Sequence, residues 1–325
     1  MGDTSPFATR FFYTALAATL FAYGVVVVDA YSRLSLASDH EGARTQVVLQ
    51  PSSPARFEDA ANQPWQRKVH PFLAGALALI VMRLAYLGWH IGGRRFFVPV
   101  AVLVSLSSLV LRDVPLPTLM AQLWTQLLQV IGAIAILVLL WWLVLREQRF
   151  WRSVVVDSRE LRALRLRVLV ATALIVTATA LGGWSSINAV GLPCVEFPTC
   201  QDLWWPPMDL IDAFSFTRLS DTVGVGGAIT APAATAMHMM HRLVSLIALL
   251  YAGWLAMRVF WTGAEHNLCR YGLMVLALLI CDVGLGIMTV VTGIPVVTLL
   301  AHATVAALLL LSMITLYHVT LPRYR

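Results

Sequence analysis

The sequence predicts an all-α integral membrane protein with eight transmembrane helices, arranged as two repeated four-helix bundles. Its 325 residues are 59% hydrophobic and only 12% charged, whereas soluble domains carry about 25% charged residues. The mean hydropathy is +0.76. A water-soluble globule and a disordered chain are therefore excluded. We therefore expect the chain to lie in a lipid bilayer. The net charge of +6 does not indicate binding of nucleic acid, because the basic residues of a membrane protein are concentrated in its cytoplasmic loops.

The eight helices are predicted from apolar stretches of the length that crosses a membrane. A helix needs about 20 residues to span the hydrocarbon, and each stretch must be helical because backbone groups cannot stay unpaired in lipid. In chain order the predicted spans are 11–31, 71–89, 96–111, 118–145, 167–188, 237–260, 271–292 and 295–317. The third is the shortest. The first follows Arg10 as a signal peptide would, but its run is too long for one, so we expect it to be retained.

The orientation follows from the positions of the basic residues between the spans. Seven arginines lie between positions 146 and 167, and such clusters stay on the cytoplasmic side. The long segment 189–236 contains five acidic residues against one arginine, which suits an outer loop. Both termini are therefore predicted to be cytoplasmic.

Two copies of one unit are predicted from parallel motifs. His70 opens span two as His241 opens span six, and Pro115–Gln122 opens span four as Pro295–His302 opens span eight. Each four-helix copy could hold a ligand between its helices. The predicted domains are an N-terminal bundle, a basic cytoplasmic linker and a C-terminal bundle, at residues 1–145, 146–166 and 167–325.

Two histidines of the second copy are candidate metal ligands. His241 and His302 each lie one to two turns inside the outer end of a predicted helix, so we expect them at one membrane depth. Two imidazoles facing each other between helices can supply both axial ligands of a haem iron. The alternative, that each only forms a hydrogen bond across the bundle, stays open. His238 lies on the same helix face as His241 and could be an alternative ligand, but a position at the aqueous boundary is the favoured interpretation.

A cysteine pair lies in the predicted outer loop. Cys194 and Cys200 are six residues apart, in a compartment that permits disulfides, and we expect them to be bonded rather than two unpaired thiols. A metal site is disfavoured because no second ligand pair lies nearby.

Charged residues also fall inside predicted spans, and two of them lie well within the apolar run. Asp282 is near the middle of span seven, and Arg83 is within span two. Charges within a membrane are costly and are therefore functional candidates, although each could simply be paired with a neighbouring helix.

Motifs in the second half together resemble the haem A synthase family, over about residues 167–318. The motifs are Leu181-Gly-Gly-Trp-Ser-Ser-Ile-Asn188, Cys194 to Cys200 with the following Gln-Asp-Leu-Trp-Trp-Pro-Pro-Met-Asp209, Ala231-Pro, His241-Arg242, Gly284-Leu-Gly-Ile, and His302. The first half resembles that family only weakly, through Arg33-Leu-Ser, His70 with Leu73-Ala-Gly75, and the shared topology.

The resemblance implies an eight-helix oxidoreductase that oxidises the C8 methyl of haem O to the formyl group of haem A, for terminal oxidases. It maps a haem b onto His241 and His302, and it places substrate haem O in the first bundle, with His70 as the catalytic histidine. It implies a haem O supplier and the terminal oxidase assembly machinery as partners, in a bacterial-type inner membrane. A homo-oligomer is compatible with it.

The first bundle departs from the family pattern at two positions. Arg67 stands where the family has Glu, and Gln122 stands where it has a second His. A haem there would have one strong ligand at most. This favours a second hypothesis, a catalytically lapsed relative that keeps haem b and serves oxidase assembly or electron transfer. A secondary transporter is a third hypothesis, which the uninterrupted, parallel repeats disfavour.

Overall fold

The computed structural model shows a helical membrane protein. It describes residues 6–49, 64–92, 98–100, 102, 119–147, 159–188, 193–215, 230–262, 268–293 and 296–321. Within these ranges, seven helices are long and apolar enough to cross a membrane. The predicted all-α membrane class is therefore confirmed.

The helices follow the predicted order along the chain. Their bounds are Pro6–Leu49 (α1), Pro64–Ile91 (α2), Leu119–Glu147 (α3), Arg159–Ile187 (α4), Leu210–Ala213 (α5), Ala231–Thr262 (α6), Cys269–Val291 (α7) and Val296–Val319 (α8). The short α5 is a single turn in the predicted outer loop, and its N-cap Asp209 accepts a hydrogen bond from the backbone N–H of Asp212 at 2.9 Å.

Several helices begin earlier than the predicted spans, and α4 and α6 are two examples. Helix α4 starts at Arg159, so residues 159–166 of the predicted linker are helical, because Leu, Arg and Glu favour a helix whether or not lipid surrounds it. Helix α6 starts at Ala231, because proline is tolerated in the first turn, where its missing N–H has no partner to lose.

The predicted third span, 96–111, lies almost entirely outside the described residues. Only residues 98–100 and 102 are described there, and they are helical. An eighth spanning helix and the twofold repeat stay predictions.

The helices of the second half form a four-helix ring. Close packing joins α4 with α6, α6 with α7, α7 with α8 and α8 with α4, whereas among the described residues α6 and α8 make no comparable contact and lie on a diagonal. Small residues permit the close approach: a Cβ added to Gly272 of α7 would lie 2.7 Å from the Ala256 carbonyl oxygen of α6. The buried cluster includes Val168, Ala171, Ile175, Ala252, Leu255, Leu279, Leu309 and Met313.

The helices of the first half pack around α1, which contacts both α2 and α3. Their buried cluster includes Phe11, Ala15, Ala18, Ala22, Leu77, Val81, Leu84, Ile136 and Leu140. Helix α8 joins the two halves, since Tyr23 Oη donates a hydrogen bond to the Thr304 carbonyl oxygen at 3.2 Å, and Trp141 Nε1 donates one to Thr315 Oγ1 at 2.9 Å.

Candidate functional site

Two histidine rings meet inside the second helix ring. His241 of α6 and His302 of α8 have ring centroids 6.3 Å apart, and their planes are inclined by 76°. The two helices that carry them are the diagonal pair, so the rings approach each other across the interior of the bundle. The structure therefore brings together the two histidines that the sequence places at one membrane depth.

The His241 ring is held by α4. Its Nδ1–H donates a hydrogen bond to the Ala178 carbonyl oxygen at 3.0 Å. The ring also lies against Gly182, one turn further along α4, where an added Cβ would come within 3.3 Å of the ring's Cε1. Because Gly182 has no side chain, the imidazole can approach the helix closely enough to reach the carbonyl one turn before it.

The His302 ring is held by α7 in the same way. Its Nδ1–H donates a hydrogen bond to the Asp282 carbonyl oxygen at 2.9 Å. The ring lies against Gly286, where an added Cβ would again come within 3.3 Å of Cε1. Each histidine thus uses a carbonyl acceptor together with a glycine four residues later on the neighbouring helix.

These hydrogen bonds decide which ring nitrogen is free. A carbonyl oxygen only accepts, so Nδ1 carries the proton in both rings, and each Nε2 keeps the lone pair that binds a metal. Histidines that bind metals usually donate their other ring N–H to a carbonyl or carboxylate, which fixes the ring's orientation. Both rings therefore have the surroundings of metal ligands.

The ligand set fits a haem better than an ion bound by protein side chains alone. Structural and catalytic zinc sites use three or four protein ligands, and no group of three or more His, Cys, Asp or Glu side chains suited to a metal occurs among the described residues. A porphyrin supplies four nitrogens itself and needs only two axial ligands from the protein. The two rings provide that number.

The spacing of the rings also fits. If a metal lies about 2 Å from one nitrogen of each ring, and each nitrogen lies about 1 Å from its ring centre, two ligands on opposite sides of the metal have centroids about 6 Å apart. The observed separation is 6.3 Å. The separation of the His241 and His302 rings therefore matches that expected for two ligands of one iron.

The predicted outer loop is attached to α6 next to His241. Cys194 and Cys200 form a disulfide. Arg242, the residue after His241, donates hydrogen bonds from its guanidinium group to the carbonyl oxygens of Glu196 at 2.8 Å and Thr199 at 3.0 Å, with a longer one to Cys194 at 3.4 Å. The disulfide loop is thus docked onto α6 next to a candidate ligand.

Further hydrogen bonds tie the rest of this loop to the helix ends. Trp184 Nε1, at the outer end of α4, donates to the Ala213 carbonyl oxygen of α5 at 3.1 Å. The backbone N–H of Asp209 donates to the Pro232 carbonyl oxygen at the start of α6, at 3.2 Å. These contacts fix the loop over the end of the ring where α4 ends and α6 begins.

Sequence reasoning assigned no role to Arg242. A signal was present, because an arginine inside an apolar span needs partners. Its acceptors are backbone carbonyls more than 40 residues earlier in the chain, and sequence spacing does not reveal such contacts.

The candidate residues of the first half lie in helices whose side chains are only partly described. The backbones of Arg67 and His70 lie in α2 and that of Gln122 in α3, but their side chains lie outside the described part, so the candidate catalytic role of His70 stays a prediction. His238 lies one turn before His241, and its Nδ1 is buried without a hydrogen-bond partner among the described residues.

Comparisons with known proteins confirm the resemblance that the sequence motifs predict. The model of a family described as "Cytochrome oxidase assembly protein", COX15-CtaA, matches residues 124–314, a range that contains both histidines and both cysteines. A protein named "Heme A synthase" from Shewanella oneidensis is 26% identical over 313 residues, which cover 91% of this chain and 92% of that protein.

Proposed function

Because the chain belongs to the COX15-CtaA family of cytochrome oxidase assembly proteins, we propose that it is a haem A synthase-type membrane oxidoreductase. In this proposal it oxidises the C8 methyl of haem O to the formyl group of haem A, with a haem b held between His241 and His302. The name of the Shewanella relative, and its coverage of nearly the whole chain, support this activity.

The observation that carries the proposal is the histidine pair. Two rings with centroids 6.3 Å apart, each with Nδ1–H donated to a carbonyl, present two Nε2 atoms as ligands. When bound, haem iron supplies one-electron redox chemistry. The oxidation of a methyl group to a formyl group adds an oxygen atom, from water or dioxygen, and removes more electrons than one haem holds, so a redox group in the second bundle would relay electrons to an external acceptor.

The residues of the chain orient the group and exclude water. Ala178 and Asp282 fix the ring planes through their carbonyls. Arg242 and the disulfide loop cover the outer end of the site. The hydrogen bond from Tyr23 to Thr304, two residues after His302, brings α1 of the first half close to the ligand helix. Electron exchange between a substrate in the first half and the second half would have a short route there.

The proposal extends to location and partners. The multi-pass topology and the bacterial relative support a bacterial-type inner membrane. The placement of both termini in the cytoplasm is proposed from the distribution of arginines between the spans. The substrate would come from a haem O supplier and the product would go to the terminal oxidase assembly machinery. A homo-oligomer fits the proposal without being required by it.

A second candidate function is a catalytically lapsed relative that binds haem b and serves oxidase assembly or electron transfer. Arg67 and Gln122 favour it, since they replace the Glu and the second His of the family pattern. The family match also begins at residue 124, after both positions.

The test is expression beside a haem O supplier, followed by purification and chromatography of the extracted haems. Haem A or its alcohol intermediate is the expected result. Haem B alone, in a protein that shows a low-spin optical spectrum, would contradict the oxidase activity and favour the lapsed relative. A host that lacks its own haem A pathway is the necessary background, because an endogenous enzyme would hide a negative result.

A further inference from the structure

A carboxylate lies beside one of the two histidines but not beside the other. Asp282 Oδ1 is 2.9 Å from His302 Nδ1, and the two side chains are only 16% and 21% exposed. The hydrogen bond of that nitrogen goes to the Asp282 backbone carbonyl, also at 2.9 Å. One residue therefore offers His302 both a backbone acceptor and a negative charge.

The charge of Asp282 has little compensation from the protein. Within the described ranges, Oδ1 is buried and receives no aligned hydrogen bond, and the one ion-pair contact is the His302 ring. An ionised carboxylate inside an apolar span is costly unless an opposite charge lies near it. A ferric haem iron bound to His302 would bring such a charge to the far side of the ring.

The His241 side is built on the same plan without the carboxylate. Its acceptor is the carbonyl of Ala178, whose side chain is a methyl group. Its neighbour in sequence is the cationic Arg242, which is occupied by the carbonyls of the disulfide loop. The two rings thus share a backbone geometry and differ in the charge beside them.

This difference has a consequence for the metal. A negative charge next to the N–H of an imidazole strengthens the electron donation of its other nitrogen to the metal. Stronger donation favours the ferric over the ferrous state and lowers the reduction potential, which the surroundings of the axial ligands control.

We infer that Asp282 is a positioning residue for His302, which fixes the ring and, through its carboxylate, holds the reduction potential of the haem low. The inference rests on the proposed function, because it needs a haem on His241 and His302. It makes the two axial ligands unequal, with His302 the stronger donor.

The test is a redox titration of the purified, haem-loaded protein, followed by its optical spectrum. Asp282→Asn keeps the size of the side chain and removes its charge, and we expect a bound low-spin haem with a higher midpoint potential. Asp282→Glu restores a carboxylate and should bring the midpoint back toward the unsubstituted value. Asp202→Asn is the matched control. Asp202 is exposed in the predicted outer loop with φ of 60°, a conformation that Asn tolerates. The midpoint potential of the haem in this variant should equal that of the unsubstituted protein.

Three outcomes would overturn the inference, and they are distinguishable. An unsubstituted protein without haem would overturn the proposed function as well. A haem-loaded Asp282→Asn protein with an unchanged midpoint would overturn the inference alone. If Asp282→Asn loses its haem, Asp282→Glu decides: recovery of haem and midpoint supports a role for the carboxylate, and equal loss in both variants overturns it.

Discussion

The two halves of the molecule are similar in helix content and unequal in the ligands they offer. In the second half, α6 and α8 face each other across a ring of four helices and bring His241 and His302 to a centroid separation of 6.3 Å. In the first half, His70 is the candidate ligand, and Gln122 stands where the parallel motif has His302. The second half therefore offers a pair of candidate ligands, and the first half offers one.

The second half also shows what a complete pair requires besides the histidines. Each ring needs a carbonyl acceptor one turn before a glycine, as Ala178 precedes Gly182 and Asp282 precedes Gly286. The acceptors come from α4 and α7, the helices of the other diagonal. All four helices of the ring thus contribute to holding two side chains, and the loss of any one contact should weaken haem binding in that half alone.

The largest expected effect comes from removing one ligand in each half. His302→Ala leaves the iron with one axial ligand, so we expect complete loss of the low-spin haem spectrum. His70→Ala should leave that spectrum unchanged, because His70 belongs to the other half. The measurement is the optical spectrum of each purified variant. His241→Ala and His238→Ala form a companion pair on α6. If His238→Ala loses the low-spin haem spectrum and His241→Ala keeps it, the ligand on α6 is His238 and not His241.

The disulfide should stabilise the outer loop of the second half. Closing a ring of this size restricts the unfolded chain and contributes about 2 kcal/mol, so the double substitution Cys194→Ser and Cys200→Ser should lower the unfolding temperature. A thiol-reactive reagent should label the two cysteines in the native protein only after reduction, in a background where Cys269 and Cys281 are replaced by serine. Labelling without a reductant would contradict the bond.

The glycine contacts predict a smaller, specific effect on haem binding. In Gly286→Ala the new Cβ would lie 3.3 Å from His302 Cε1, which pushes the ring from its acceptor. Substitutions next to a metal ligand typically weaken binding about tenfold or more, and we expect about a tenfold loss of haem affinity. Gly284→Ala, two residues away on α7, is the control, since its Cβ would meet nothing within 4 Å. Equal haem affinities of Gly286→Ala and Gly284→Ala would argue against a contact between Gly286 and the His302 ring.

The smallest expected effect concerns the attachment of the disulfide loop. Arg242→Lys keeps the positive charge, but an ammonium group cannot reach several carbonyls as a planar guanidinium does. A typical hydrogen bond contributes about 1 kcal/mol to stability, and because Lys keeps the charge and can retain one of the bonds, we expect a loss of about that size. We expect faster reduction of the disulfide by a mild reductant, with the haem spectrum retained. An unchanged reduction rate would show that the loop is held by other contacts.

Much of the fold could be predicted because lipid imposes simple rules on a chain. Apolar length was sufficient for seven of the predicted spans, and their order is confirmed. The starts of α4 and α6 were predicted too late, because a helix can begin several residues before its apolar run begins. Hydropathy reports the solvent around a residue and not the extent of its backbone hydrogen bonding.

The sequence by itself determined the membrane class, the helix order, the cysteine pair, and a histidine pair at one depth. Each of these depends on composition or on distance along a helix, which a linear sequence contains. Only the tertiary structure decided which carbonyls the rings reach, why Gly182 and Gly286 lie beside them, and what Arg242 and Asp282 contact. Those contacts join residues 20 to 63 positions apart, and they depend on how each helix is rotated and packed against its neighbours. Periodicity gives a helix its faces, but the packing of several helices decides which face meets which.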